Sequence, residues 1–172
     1  METIASFFER LRKILEKKGM LVLRISVGMI FLWFGFLKFF GSLSAAETIA
    51  SRTISWLTAG YLTQTYSMPI LAVIECMIGI GILTKRYMEY VIPVLYFQMA
   101  GTLLPLAVFR DETWQLPFVP TLLGQYIIKN AILISAAMVL GTIAKGGKLI
   151  QDPVIAKTAK KIEKKKEAAS DD

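Results

Sequence analysis

The sequence predicts an all-α integral membrane protein: a four-helix bundle with amphipathic interfacial helices at the N-terminus and in the first outer loop. Three observations predict it. Apolar residues make up 55% of the 172, and the mean hydropathy is +0.54. They fall in four long blocks, each near the ~20 residues that carry a helix across the hydrocarbon core. A soluble helix would be apolar along one stripe only. The third observation is that the basic residues cluster in segments that all fall on one side when four blocks are threaded back and forth.

Residues 1–19 are read as a cytoplasmic amphipathic helix. Ile4, Phe7, Phe8, Leu11, Ile14 and Leu15 share one stripe, and Glu9, Arg10, Arg12, Lys13, Lys17 and Lys18 cover the other face. Such a helix suits a membrane interface, with its lysines toward anionic headgroups. Packing against the cytoplasmic side of the bundle is compatible with the same pattern.

The four-span domain covers residues 20–144. Its first block is 20–40, with Arg24 and Lys38 near its two ends, where long basic side chains can snorkel. Gly28 and Gly35 are seven residues apart, hence on one face, and should admit a close neighbour. No small-residue cleavage site follows this block, so it is expected to remain as an anchor rather than be removed. Residues 42–60 are too polar to span. Ser44 and Glu47 have the spacing of a capping box, and Trp56 suits an interface, so a short amphipathic helix or re-entrant segment is expected there. The second span is 66–84, with Glu75 inside it. The third is 88–109, kinked by Pro93 and Pro105. A polar loop follows at 110–121. The fourth span is 122–144, with Lys129 and Asn130 inside. Residues 145–172 form a basic cytoplasmic tail, in which Val154, Ile155, Thr158, Ala159 and Ile162 offer a weak apolar stripe.

Orientation follows from Lys and Arg in short flanking segments. The N-terminal flank, Lys85 and Arg86 between spans two and three, and the tail are basic; the other two loops hold little besides Arg52 and Arg110. Four spans with both ends in the cytoplasm of an inner membrane satisfy this. The net charge of +7 is therefore a topology signal. Nucleic acid is not an expected partner, because no basic stripe lies on a soluble surface.

The chain has no histidine, and Cys76 is its only cysteine. Haem ligation by His, copper sites and zinc sites are disfavoured by that inventory. No metal and no covalently bound cofactor are expected, and no catalytic residues are assigned. Cys76 is read as a small apolar residue.

Ionisable side chains inside a span are expensive and usually face a partner or a cavity. At a rise of 1.5 Å per residue, Glu75 lies ~12 Å and Lys129 ~8 Å below the outer surface. These similar depths predict that Glu75 and Lys129 interact. Lys38, Glu47, Arg52, Glu75, Gln98, Gln125, Lys129 and Asn130 are the candidate ligand-binding residues, converging on one outward-facing polar site, with Thr102 beside Gln98 on its floor. Phe31, Trp33, Phe34, Tyr96 and Phe97 are read as core or lipid contacts, or alternatively as the wall of a pocket for a flat ring.

At these residues the sequence resembles the DoxX family of small bacterial and archaeal membrane proteins. The matching stretches are LRISVG at 23–28 with FGFLKF at 34–39, IECMIGIGILTKR at 74–86, and Lys129-Asn130 in the last span; the resemblance covers about residues 20–145. It implies a four-helix membrane bundle and a link to redox complexes, because related small subunits belong to an archaeal thiosulfate:quinone oxidoreductase. Some members are associated with oxidative-stress defence.

The leading expectation is a small membrane subunit of a redox or respiratory assembly that binds quinone at the outward-facing polar site. It would not be an enzyme alone. The alternatives are a structural or assembly protein without a ligand, and a small transporter or lipid-handling protein. Membrane lipids and other membrane or redox subunits are the expected partners, and homo-oligomerisation is left open.

Overall fold

The computed structural model describes residues 2–41 and 47–144, together with Thr158 and Ile162. The expectations for Ser44 as a cap and for most of the tail, including Val154, Ile155 and Ala159, lie outside the described residues.

The described chain is mostly helical. Helix α1 (Glu2–Leu37) has 36 residues, a length of about 54 Å. The sequence suggests a division at Gly19, but the helix continues through it. One glycine in a helix costs only about 1 kcal/mol relative to alanine, too little to break a ladder of this length. Helix α2 (Glu47–Leu57) occupies the first loop, where a short amphipathic helix was expected. It buries Ile49, Ser51 and Thr53 and exposes Trp56.

Helix α3 (Gln64–Thr84) and helix α4 (Met88–Leu103) are joined by a tight turn in which Lys85 and Tyr87 both have positive φ. Pro93 lies within α4 without ending it. Pro105 does end the helix. Lacking an N–H, it cannot bond four residues back. The chain tightens at Leu104, whose N–H reaches only to the Gly101 carbonyl at 3.3 Å. A short helix α5 (Pro105–Val108) follows. Of the two prolines expected to kink this span, only Pro105 coincides with a helix end.

The loop at 110–121 is more ordered than its polar sequence suggests. It contains a single turn α6 (Arg110–Thr113) and a two-stranded hairpin, β1 (Trp114–Leu116) with β2 (Val119–Pro120), turned through Phe118 at φ +65°. Thr121 then caps helix α7 (Leu122–Ile128), its side-chain oxygen accepting from the Gly124 N–H at 3.1 Å. That satisfies one of the first-turn donors no helix can pair internally. After Lys129 the chain resumes as α8 (Asn130–Ala144). At the junction the Ile132 N–H bonds the Lys129 carbonyl, three residues back, at 3.1 Å, so the last expected span is two helices end to end.

Four segments, Lys17–Leu37, Gln64–Thr84, Met88–Val108 and Leu122–Ile143, are long and apolar enough to cross a membrane. They coincide with the four apolar blocks to within a few residues. In the bundle α1 packs on α3, α3 on α4, α4 on α8, and α8 back on α1. The α1–α3 contact is antiparallel and glycine-lined. A Cβ at Gly28 would stand 2.7 Å from Leu83 Cγ, and one at Gly35 2.8 Å from Glu75 Cβ. At Gly79, on the opposing helix, it would stand 2.6 Å from the Leu32 amide nitrogen. The absence of side chains is what lets the two backbones approach.

The core lies between these helices. Val27 and Phe31 from α1 meet Ile78 and Ile82 from α3, Leu95 and Met99 from α4, and Ala137 and Leu140 from α8. Of the five aromatics singled out in the sequence, only Phe31 is buried. Tyr96 packs half-buried against the core. Trp33, Phe34 and Phe97 face outward, with Phe97 84% exposed, so these three do not wall an internal pocket.

Candidate functional site

Three helices bring Lys38, Glu75 and Gln98 together inside the bundle. Lys38 follows the last turn of α1. Side chains leave a helix tilted toward its N-terminus, so the lysine is directed back into the bundle. Its ammonium lies 3.4 Å from the Phe34 carbonyl and donates to Glu75 Oε2 at 2.6 Å. Gly35 makes this reach possible, because the α1 backbone there lies directly against Glu75 and Cys76. From α4, the Gln98 amide donates to the other Glu75 oxygen, Oε1, at 2.8 Å. All three residues are buried, at 8–9% or less exposure for Lys38, Gln98 and Glu75.

The arrangement is an ion pair with an amide holding its carboxylate from the far side. Both carboxylate oxygens are bonded. Two groups still have capacity. An ammonium has three N–H donors, and Lys38 uses at most two on the partners just named. The Gln98 side-chain oxygen is buried and has no hydrogen-bond partner among the described residues. Reversing the amide would set that oxygen against Glu75, so the orientation follows from the carboxylate being an acceptor.

One turn further along α4, Thr102 donates to the Met99 carbonyl at 2.7 Å. It accepts, at 3.4 Å, from the Asn130 side-chain amide at the start of α8. Thr102 and Gln98 are four residues apart, hence neighbours on one helix face.

The remaining sequence candidates stand elsewhere. Glu47, buried at the start of α2, accepts from the Gln64 amide at 3.1 Å. Gln64 precedes Glu75 by eleven residues on α3, or about 16 Å, so this pair is separate from the ion pair. Arg52 is exposed. It pairs with Glu112 at 2.5 Å and stacks over the Phe109 ring, 4.7 Å from its centroid. That clasp ties α2 to the α5–α6 turn. Gln125 and Lys129 are exposed on the outside of the fourth span. The expected Glu75–Lys129 contact is therefore corrected: the cation at Glu75 is Lys38. Similar depth along two helices does not place two side chains on facing sides, and Lys129 points away from the bundle.

The eight candidates thus divide into the buried triad, the Thr102–Asn130 contact, two tethers of α2, and two exposed residues. Gln98 was expected on the floor of the site and is instead a direct partner of Glu75. The signal for Lys38 was in the sequence. Gly28, Phe31, Gly35 and Lys38 recur at helical spacing, so the face that admits α3 also carries the lysine.

Clefts open on the surface of the described residues. One, of about 380 Å³, lies between α4 and α8 and is lined by residues including Met88, Tyr96 and Met138. Another, of about 460 Å³, lies beside Arg52, Trp56 and Phe109. Neither includes a residue of the triad. Among the described residues no group of three or more Cys, Asp or Glu is placed to hold a metal ion. No protein-family model, no curated protein and no solved structure matches the chain.

Proposed function

We propose that the chain is a four-span protein of the cytoplasmic membrane with both ends inside. In this reading it serves as a small membrane subunit of a redox assembly, and the Lys38–Glu75–Gln98 triad is the polar end of a quinone site.

Membrane insertion is supported by the character of the four helices. Between 22% and 39% of each apolar window is buried within the chain; much of the remainder is half-buried or exposed apolar side chain that needs an apolar surrounding. Lys129, exposed on that surface, would snorkel toward the outer headgroups. The resemblance to the DoxX family around Lys38 and Glu75 points the same way.

The ligand reading is carried by one observation: the triad is charged, buried and incompletely satisfied. A buried ion pair is seldom the most stabilising way to fill a core; apolar packing of the same volume does as well or better. A leftover donor and an unpartnered acceptor add to that cost. The two fit a quinone or its reduced form. The Lys38 ammonium would donate to a ring carbonyl, and Gln98 Oε1 would accept from a ring hydroxyl. A quinone supplies two-electron, two-proton chemistry when bound. This chain supplies position, hydrogen bonds and, in Glu75, an acceptor for a proton.

A second reading is favoured by the engagement of both Glu75 oxygens. In it the triad is a structural link among α1, α3 and α4, in a protein that assembles partners without a ligand. Lipid extraction after purification in native membrane particles separates the two. The quinone reading expects a hydrophobic quinone to copurify with the wild-type protein. Gln98→Leu, which keeps the ion pair, should lower that content severalfold while leaving a folded bundle. Equal quinone content in wild type and Gln98→Leu, at the background of an unrelated membrane protein, would leave the structural reading.

A further inference from the structure

We propose that Arg24, with Lys85 and Arg86, forms a phosphate-binding site at the end of the α1–α3 seam remote from the triad. The site does not depend on the quinone reading.

Arg24 is a charge without a counter-charge. It is half-buried on α1, its Nε is enclosed, and no hydrogen bond or ion pair reaches it among the described residues. The two Nη groups are not enclosed, so the guanidinium is held at its base and open at its tip. A long basic side chain near the end of a span ordinarily extends until its charge is in water. Here part of the guanidinium stays inside, where an unpaired charge is costly. A bound anion removes that cost.

Level and rotation both place the Lys85–Arg86 turn beside it. Arg24 is one helical turn from Gly28, hence on the same face of α1. At Gly28 that face meets Leu83 of α3. The two helices are antiparallel, so one turn beyond Gly28 on α1 corresponds to one turn beyond Leu83 on α3. That position is the connection holding Lys85, Arg86 and Tyr87. Lys85 and Arg86 are exposed and have no ion pair among the described residues. Lys17, two turns from Arg24 on the same face, is exposed and unpaired as well. Glu89, in the first turn of α4, is exposed and pairs with none of these cations.

The chemistry selects phosphate. A guanidinium offers its donors in a fork that matches phosphate oxygens, and an ammonium adds charge without a fixed direction. Basic residues between spans also set orientation, but that role asks only for charge in water. It does not ask for an enclosed Nε without a partner. In the four-span reading this connection stands at the cytoplasmic edge of the membrane, where basic pockets between helices hold lipid headgroups. An anionic lipid and free phosphate present the same group to these side chains.

The test follows thermal unfolding of the full-length protein, stripped of lipid in a neutral detergent. The probes are dioctanoyl phosphatidylglycerol, inorganic phosphate, and sodium chloride at matched ionic strength. Phosphatidylglycerol should raise the midpoint with a saturable dependence, and chloride should not. An equal response to inorganic phosphate at the same concentrations assigns the site to the free anion; a response to it only at far higher concentrations assigns the site to the lipid. Arg24→Gln should raise the half-saturating concentration by about tenfold or more, the loss of a hydrogen bond to a charged group. Lys85→Gln with Arg86→Gln should weaken the response too. Lys129→Gln, an equal change in net charge near the other end of the bundle, should leave it unchanged. Without a probe, Arg24→Gln should unfold at the wild-type temperature or above, because it removes an unpaired charge. A large loss of stability there would mean that the guanidinium is satisfied within the fold, and would overturn the proposal. So would equal shifts in wild type and Arg24→Gln, an effect that chloride reproduces, or a response to a poly-aspartate peptide and to neither phosphate probe.

Discussion

Lys38→Met should destabilise the bundle by about 3–5 kcal/mol, the range for removing one partner of a buried ion pair. The carboxylate of Glu75 would remain inside with only the Gln98 amide to compensate it. The size of the loss comes mostly from the charge left behind rather than from the pair's net worth. The double change Lys38→Met with Glu75→Leu should therefore recover much of the loss, and the two substitutions should be strongly non-additive. Reversible unfolding in mild detergent measures both. Lys129→Met is the contrast. Lys129 is exposed and has no ion pair among the described residues, so its removal should change stability by less than about 0.5 kcal/mol. A large loss at Lys129 together with a small one at Lys38 would mean that the cation at Glu75 has been misassigned.

The second large effect is expected at Gly35. Its absent side chain is what lets α1 lie on Glu75 and Cys76, where an added Cβ would stand 2.8 Å from Glu75 Cβ and 2.9 Å from the Cys76 amide nitrogen. The latter is backbone and cannot rotate away. Gly35→Val should cost about 3 kcal/mol, the upper part of the usual range for overpacking. It should also move Lys38 away from Glu75. In the Lys38→Met, Glu75→Leu background the part of the loss due to the broken ion pair should disappear, leaving the steric part. Gly101→Ala is the control. Nothing lies within 4 Å of a Cβ there, and at this position in the last turn of α4 alanine should be neutral or stabilising by at most about 1 kcal/mol.

The spans were legible because a bilayer-sized apolar block is a property of composition and length. The first block was expected from residue 20 and the apolar segment begins at Lys17; that difference is a matter of where charged flanks are counted. The break at Pro105 was legible from the missing N–H. The helix break at Lys129 was not, since neither proline nor glycine marks it. The hairpin at β1 and β2 was not legible either. Two and three residues make a weak pattern, and its turn uses Phe118 at positive φ rather than the glycine or asparagine usual there.

At the candidate site the sequence identified which residues are costly to bury but not how they pair. Depth was estimated from the rise per residue, which fixes height along the axis and leaves rotation about it free. That is why Lys129 was matched to Glu75. Rotation could have been read from the small residues. Gly35 and Lys38 share a face, and Glu75 and Gly79, four apart, share the face that meets it. Two glycine-marked faces bring the lysine and the glutamate to one seam. Arg52 and Glu112, 60 residues apart in exposed loops, had no comparable marker.

The central claim is a four-span chain with both ends inside, and site-directed labelling tests it most directly. In the Cys76→Ala background, single cysteines replace Ser6, Tyr61, Tyr87 and Gln115. Tyr61, Tyr87 and Gln115 are exposed in the three connections between apolar segments; Thr113, though in the last of these loops, is fully buried and unsuitable. A membrane-impermeant thiol reagent applied to intact cells should label positions 61 and 115, and should reach 6 and 87 only after the membrane is opened. Labelling of position 6 or 87 on intact cells, or equal labelling of all four, would contradict the topology and the orientation of the triad with it.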